Sequence, residues 1–520
     1  MVLIHEPTKS VVLNVSDPAY IQSLIPKFSK SLAHPDYNLA VKHTMESTRV
    51  LRNLGYDVPS PIQYQYPWPG KYSPFDHQRL MSDFLTLNDK CFNLSEMGTM
   101  KTASALWAAD YLMSVGEVRS AAIFSPMSTM DTVWKQDIFD TLMHRTCGIV
   151  HGSMEHRLKV LSSPLDFYVV NHDGVVLTEV VKCIRRRKDI DLIIVDEVSM
   201  FRNSLTDKYK FLEWLVEKKK RVWLISGTPC PNAPTDAWAL ARLIDKSKVP
   251  RWFGSFQRET MLKVSEHRWV PKKDAKDKAY AALRPAVRFL KKDCIDLPPV
   301  VTENRQTSMS KQQTQLFEQM RKELVIDMAH GQITAVNAAD KINKLRQILC
   351  GVIKDPASSD YILLDHKKRL RDLEDVLDEA AAKAIVIVPF KGIIRTLAQE
   401  LEAHGHTVGV INGDVSPKMR DQIINQFKHE EHPQTLLCHP RVMSHGLNLT
   451  VADVTAFYAP IYSGDEYEQV IERFNRAGQT RKMTLVRLGA HPLEWEIYRM
   501  VDTKRLNQKT ILDLFDTITY

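Results

Sequence analysis

The chain lacks several things at once. No apolar run approaches the ~18 residues that cross a bilayer as a helix, which argues against a helical membrane protein. The cysteines at 91, 147, 183, 230, 294, 350 and 438 are odd in number, scattered and never spaced C-x-x-C. That pattern excludes a disulfide framework and a cysteine zinc site, and it fits free thiols in a reducing compartment. There is no short-period repeat, no low-complexity tract, no Cys/His array and no nuclease-type carboxylate cluster. The two histidines of HGSMEH, His151 and His156, are five apart, a poor helical spacing for sharing a metal, and they read as surface residues. The opening MVLIHEPTKS has an acidic residue where a signal peptide needs basic charge, and no long apolar core follows. The expectation is a cytoplasmic protein without signal peptide or transmembrane segment.

What is present suits a soluble globular chain. The length of 520 residues allows about three to four domains, and 44% apolar with 25% charged residues is ordinary composition. The net charge of +8 permits a polyanionic partner without demanding one. Basic clusters at IRRRKD (184–189), EKKKRV (217–222), KKDAKDK (272–278) and DHKKRLR (365–371) each read as solvated helix ends or turns.

Residues 1–70 form an accessory segment. TMESTRVLRNLGYDVPSP within it resembles a helix stopped by Gly and Pro, and PSPIQYQYPWPGKYSPFDHQ is an irregular approach rich in Pro and aromatics. Short strands (CFNL, AAIFSP, FYVVN, LIIVDE, VWLISG) then alternate with helical stretches over 71–245. Their near-continuous apolar content suits strands buried on both faces of a parallel sheet. The alternation lapses over 246–372, which reads as helical insertions and a linker broken at DLPPV. It returns over 373–495 with KAIVIVPF, TVGVING, TLLCH, VTAFYAP and MTLVRLG, and 496–520 is a C-terminal helix or tail. The fold class is therefore α/β: two doubly wound parallel-sheet units with a helical insertion between them.

Four motifs carry the chemistry. After the strand at 91–94 comes Ser95-Glu96-Met97-Gly98-Thr99-Met100-Lys101-Thr102 and a helix. Partnerless backbone N–H groups at such a helix start bind phosphate; Lys101 would reach the β/γ-phosphates and the Thr102 hydroxyl a Mg²⁺ ion. DLIIVDEVS ends a buried strand in Asp196-Glu197, where the first suits Mg²⁺ and the second suits orienting an attacking water. VWLISGTPCPN places Ser226-Gly227-Thr228 at another strand end, where hydroxyls could sense that carboxylate pair. EQVIERFNRAGQT sets Arg473 and Arg476 one turn apart, able to stabilise charge on a γ-phosphate, or alternatively to form a surface ion-pair helix with Glu468 and Glu472.

In this order the blocks resemble the Swi/Snf family of helicase superfamily 2, over about residues 70 to 490. The loop is similar to D-E-M-G-x-G-K-T, Asp196-Glu197-Val198-Ser199 to D-E-A/G-H, and Arg202-Asn203 to the family's K/R-N. Ser226 to Pro229 match S-G-T-P. RFLKKDCIDLPPV (288–300) resembles the segment joining the lobes, and KLRQILCG (344–351), SHGLNLTVADV (444–454) and the run Gln469, Arg473, Arg476, Gln479 resemble the later motifs. The line from GYDVPSP to PFDHQ also looks like phage-encoded members, which would place the chain in a host cytoplasm.

The resemblance implies two RecA-like lobes with ATP and Mg²⁺ held between them, and a DNA-dependent ATPase that translocates on double-stranded DNA. It implies that Gln78 contacts adenine, that Glu96 to Thr102, Asp196 and Gln479 line the nucleotide, and that Lys101, Glu197, Arg473 and Arg476 are catalytic. It implies DNA contacts, mainly to phosphates, from Pro126, Trp134, Asn171, His172, Asn412, Gly413, Ser444, His445 and Asn448. Two alternatives stand beside it: a strand-separating helicase on forked DNA or RNA, and a non-hydrolysing DNA-binding relic. The relic is motivated by Met100, which replaces a glycine; with ordinary helical φ there, the loop would survive with its side chain pointing away.

Overall fold

The structure is a computed structural model. It describes residues 2–503 except 228, 231–232, 266–267, 295, 330–334, 355–360, 444–448 and 477, and it does not describe the side chains of 132, 265, 268, 323–329, 335–339, 417 and 465. The chain divides into two compact units, 1–295 and 296–520.

The first unit opens with an antiparallel sheet in the order Val2–His5, Ser10–Leu13, Leu39–Lys42, Ser29–Ser31. Alternate side chains, Val11, Leu13, Leu39 and Val41, point to one face and meet Ile21 and Leu51 from the helices Pro18–Leu24 and Met45–Asn53. The second helix starts at a capping box, Thr44 with Ser47, and Gly55 follows it at φ +89. The aromatic approach segment then packs along the helix Lys101–Ser114. Tyr66 and Trp68 meet Tyr111 and Trp107 edge to face, and the Trp107 indole donates to the Pro69 carbonyl at 2.8 Å.

The main sheet of this unit has seven parallel strands, in the order Ala286–Val287, Lys90–Asn93, Arg221–Ile225, Ile190–Val195, Ser120–Ser125, Phe167–Asn171, Cys147–Val150. Its central strands are buried on both faces, as continuous Ile/Val/Phe runs require. Apolar clusters lie on each side, one around Phe92, Ile193 and Leu224, the other around Trp107, Ile123, Ile194 and Trp223.

The second unit repeats the design with six parallel strands: Val300–Gln306, Met483–Gly489, Ala452–Phe457, Lys383–Ile387, Thr435–Cys438, Val408–Ile411. Both halves are thus doubly wound α/β folds, as the strand alternation predicts. The stretch 246–372 is shared between them. Ala286–Val287 adds an edge strand to the first sheet, and Val300–Gln306, alternating and largely polar, adds one to the second. Edge strands need little apolar content, so the polar sequence of Val300–Gln306 looks unlike the strands it joins, while Ala286–Val287 is too short to show a pattern. All seven cysteines stand as free thiols. Among the described residues no helix is long and apolar enough to cross a membrane.

Candidate nucleotide site and its fastenings

Three neighbouring strands of the first sheet end together. Lys90–Asn93 leads into the glycine-containing loop, Arg221–Ile225 into Ser226-Gly227, and Ile190–Val195 into Asp196-Glu197. The carboxyl ends of a parallel sheet are where such folds take ligands.

The loop is held in an unusual backbone shape. Gly98 has φ +81, and Met100, the residue before the helix, has φ 56 and ψ 44. The condition of an ordinary helical φ at Met100 is not met: a side-chain-bearing residue occupies the left-handed region, at a cost of roughly 1–2 kcal/mol. The surrounding bonds explain why it stays there. Gln78 Nε2 donates to the Met100 carbonyl at 3.3 Å, His77 Nε2 to the Thr99 carbonyl at 3.2 Å, and the Thr99 hydroxyl to the Glu96 carbonyl at 2.8 Å. Gln78 is only 2% exposed, and its Oε1 accepts from the Phe75 amide at 3.0 Å. Both ends of this amide clamp backbone.

Glu96 likewise faces away from the helix start. Its carboxylate accepts from the Lys291 amide at 3.0 Å, its own amide donates to the Phe289 carbonyl at 3.0 Å, and the Ser95 hydroxyl accepts from the Phe289 amide at 3.1 Å. The loop is stitched to residues 289–291. Sequence reasoning missed this role, because two residues nearly two hundred positions away carry no local signal of it. Lys101 Nζ folds back onto the Ser95 and Glu96 carbonyls at 2.8 and 2.9 Å. A Cβ added at Gly227 would come within 2.9 Å of Met97 Cγ and 3.2 Å of the Met97 backbone nitrogen, so a side chain here would push against the loop. Thr102, in the first turn of the helix, is partly exposed.

The acidic pair is gripped from several sides. Asp196 Oδ2 accepts from the Trp134 indole at 3.0 Å and Oδ1 from the Glu197 amide at 3.0 Å, while His172 Nε2 donates to the Asp196 carbonyl at 2.8 Å. Glu197 takes a left-handed backbone, φ 48, and its Oε1 accepts from Ser199 at 2.8 Å and from Ser226 at 3.3 Å. The Ser226 hydroxyl thus lies on the acidic pair, the contact that a sensing role would use. Burial pushes both carboxyls above their ordinary range; the Asp196 charge raises Glu197 further, and the Lys101 ammonium lowers both. One carboxylate and one hydroxyl at adjoining strand and helix ends suit Mg²⁺, which takes few protein ligands beside phosphate oxygens.

The residues expected at DNA behave differently in the first unit. Pro126 is partly exposed and accepts from the Thr129 hydroxyl at 3.0 Å. Trp134 does not face solvent: it is fully buried in a π-helical turn, Met130–Lys135, with its N–H on Asp196. Asn171 and His172 are 4% and 6% exposed, Asn171 accepting from Arg157 at 3.1 Å and His172 packed against Phe201. Each of these three side chains has a polar atom bonded inside the fold.

In the second unit Asn412 is partly exposed and Gly413 exposed, with Asn412 Oδ1 accepting from the Asp414 amide at 2.9 Å. Ser444, His445, Asn448 and Thr228 lie outside the described residues. Arg473 is in the last turn of the helix Gly464–Phe474 and Arg476 just beyond it, both partly exposed. The carbonyl of Arg473 accepts from the Leu449 amide at 2.9 Å, which ties this helix end to the segment before Ala452–Phe457. Arg476 adds to the burial that holds Lys428 below its usual range. Gln479 is 5% exposed and donates to the Ala452 and Phe474 carbonyls at 3.1 and 3.3 Å. Its amide braces the helix end.

Comparison with known proteins places this geometry. Residues 86–355 match the model of the SNF2-related domain, and residues 368–478 match that of the helicase conserved C-terminal domain. The chain is 22% identical over 467 residues to protein p41 of Acyrthosiphon pisum secondary endosymbiont phage 1, covering 85% of this chain and 98% of that protein. It is 22% identical over 426 residues to an uncharacterized ATP-dependent helicase of Mycoplasma genitalium, covering 80% of this chain but 40% of the relative. Among solved structures it matches the SWI2/SNF2 ATPase core of Sulfolobus solfataricus in complex with dsDNA, at 19% identity and a TM-score of 0.42, covering 84% of this chain and 92% of that one. The chain belongs to the SNF2-related family and is an ATPase of the helicase type.

Proposed function

We propose that this protein hydrolyses ATP to move along or remodel double-stranded DNA. The observation that supports it most is the convergence of Lys101, Ser226 and the pair Asp196-Glu197 at the carboxyl ends of three adjacent parallel strands. Lys101 and the loop amides hold the phosphates. Thr102 and Asp196 would hold Mg²⁺, which when bound neutralises phosphate charge. Glu197, fixed by two hydroxyls, orients the attacking water. Arg473 and Arg476 are assigned to the charge that develops on the γ-phosphate. DNA contacts fall mainly on phosphates, so binding weakens steeply with salt and varies little with sequence.

The inward bonds of Trp134 and His172 give the first unit a mechanical role in this scheme. Segments that follow two sheet strands are fastened to the residue proposed to hold the metal, so a displacement of either segment is felt at Asp196. The test is ATP turnover by the purified chain with no nucleic acid, duplex DNA, single-stranded DNA and RNA. Duplex-stimulated turnover, lost in Lys101→Ala and Glu197→Gln, is expected. Turnover that is absent with duplex, or intact in both variants, refutes the reading.

A further inference from the structure

After the helix Ala237–Ile244 the first unit continues through residues 245–295. This stretch holds fourteen Lys and Arg against six Asp and Glu, a net charge of +8, which equals that of the entire chain. The remaining residues therefore sum to neutrality, and the mildly basic balance of the sequence is a local property. The cluster KKDAKDK, which reads as a solvated helix end, is part of it.

The stretch folds as the helix Phe253–Thr260, the antiparallel hairpin Met261–Ser265 with Arg268–Pro271, and the helix Ala275–Ala282. Phe256, Ala279, Ala282 and Leu283 turn inward to the unit's core. Lys272 Nζ donates to the Arg258 carbonyl at 2.6 Å, and Lys278 pairs with Asp274 at 2.7 Å. The interior is thus satisfied, yet Trp252 is 67% exposed and Tyr280 45%.

Both rings carry a guanidinium. Arg251 lies over Trp252 with Cζ 5.1 Å from the ring centre; Arg288 lies over Tyr280 at 5.6 Å and donates to its hydroxyl at 2.8 Å. Arg251, Lys263, Lys273, Lys276 and Arg284 are exposed, with no ion-pair partner among the described residues. Unneutralised cations call for phosphate, and exposed rings call for a flat apolar face. A duplex offers the first but hides the second within its base stack. An unpaired strand offers both.

We propose that the described residues of 251–264 and 269–292 form a binding surface for single-stranded nucleic acid, with Trp252 and Tyr280 stacking on bases and Arg251, Lys263, Lys273 and Lys276 taking phosphates. The inference rests on the reading that the chain works on DNA, and it adds an unpaired strand to the duplex as ligand.

The experiment is fluorescence anisotropy with the full chain, without nucleotide, against labelled oligo-dT of about 20 nucleotides, a duplex of equal length, and acidic phospholipid vesicles. In the double variant W252A/Y280A the affinity for oligo-dT should fall about tenfold or more, since both stacking rings are lost. Duplex affinity should stay within about twofold. The triple variant K263E/K273E/K276E should flatten the salt dependence of oligo-dT binding, and circular dichroism should show both variants folded. Unchanged oligo-dT affinity in both variants, equal losses on both DNA forms, or vesicle binding without oligo-dT binding would overturn the proposal. Loss of oligo-dT binding in a chain whose turnover ignores duplex would sink the motor reading and leave this surface standing.

Discussion

The two units share a plan, a parallel sheet wrapped by helices, but use their strand ends differently. In the first, polar side chains at the strand ends point inward and hold one another: Trp134 and His172 on Asp196, Ser199 and Ser226 on Glu197, Lys101 on the loop carbonyls. In the second, Asn412 and Gly413 face outward, and Arg473 and Arg476 are partly exposed. The same contrast appears in how each unit buries charge. Asp110, on the helix after the loop, is 3% exposed but meets Arg145 and His144, which reach solvent at 19% and 51%. Arg369 and Glu494 in the second unit pair at 2.6 Å with 2% and 1% exposure. The first unit is braced around its chemistry, whereas the second is locked in its core and leaves its rim open. Preorganised groups of the first kind suit binding and orienting a nucleotide; groups of the second kind suit a part that acts on demand.

The largest expected effect tests that division directly. Lys101→Ala should abolish both ATP binding and turnover. Arg473→Ala should retain ATP binding, measured by equilibrium dialysis, and lose turnover by about 10³-fold, as expected of an arginine acting on developing charge. Wild-type turnover in Arg473→Ala would remove the second unit from the chemistry.

Next comes the locked core. Glu494→Ala leaves the Arg369 guanidinium buried without its carboxylate and removes the acceptor for the Ala490 amide. Losing one partner of such a pair costs about 3–5 kcal/mol. Hydrogen exchange should show the six-stranded sheet losing protection while the seven-stranded sheet keeps it. Equal loss in both would show that the units do not differ in this way.

A smaller effect probes the braced side by pH. Burial and the Asp196 charge raise the Glu197 carboxyl, while the Ser199 and Ser226 hydroxyls lower it. Only the ionised carboxylate can orient water, so turnover should fall as pH drops through a value above the ordinary glutamate range. Ser199→Ala removes a lowering contact and should move that acid limb to higher pH. A limb that stays in place would mean another group controls it. Trp134→Phe keeps the packing but deletes the donor to Asp196; the Mg²⁺ concentration for half-maximal turnover should rise about tenfold, as loss of such supporting contacts does elsewhere.

Much of this architecture could be read in the sequence, for a definite reason. CFNL, LIIVDE and VWLISG are strands buried on both faces, and such strands announce themselves by composition. The motif order also placed Lys101, Asp196 and Glu197 at strand and helix ends, where the structure has them. What stayed hidden are contacts made across long sequence separation. Gln78, Gln479 and Trp134 all belong to recognisable motifs, yet their side chains turn inward to backbone or to Asp196. A motif constrains residue type; which way a polar side chain turns is decided by unsatisfied groups that folding brings near it. The antiparallel sheet of residues 2–42 escaped notice because its strands have three or four residues each and only one buried face.

The smallest effect concerns the residue whose backbone was least legible. Met100 holds φ 56 where glycine would sit without strain. Met100→Gly removes roughly 1–2 kcal/mol of local strain but frees the unfolded chain, which offsets about 0.4–1 kcal/mol of it. The net gain should be about 1 kcal/mol or less in urea unfolding, with turnover equal to wild type or higher. Met100→Ala keeps a Cβ in the same region and should gain nothing. If the glycine variant is instead less stable, the methionine side chain contributes packing that exceeds its backbone strain. The loop would then be a shape this chain has built around methionine, and the bonds from Gln78 and His77 would be supports for that side chain as much as for the phosphate cradle.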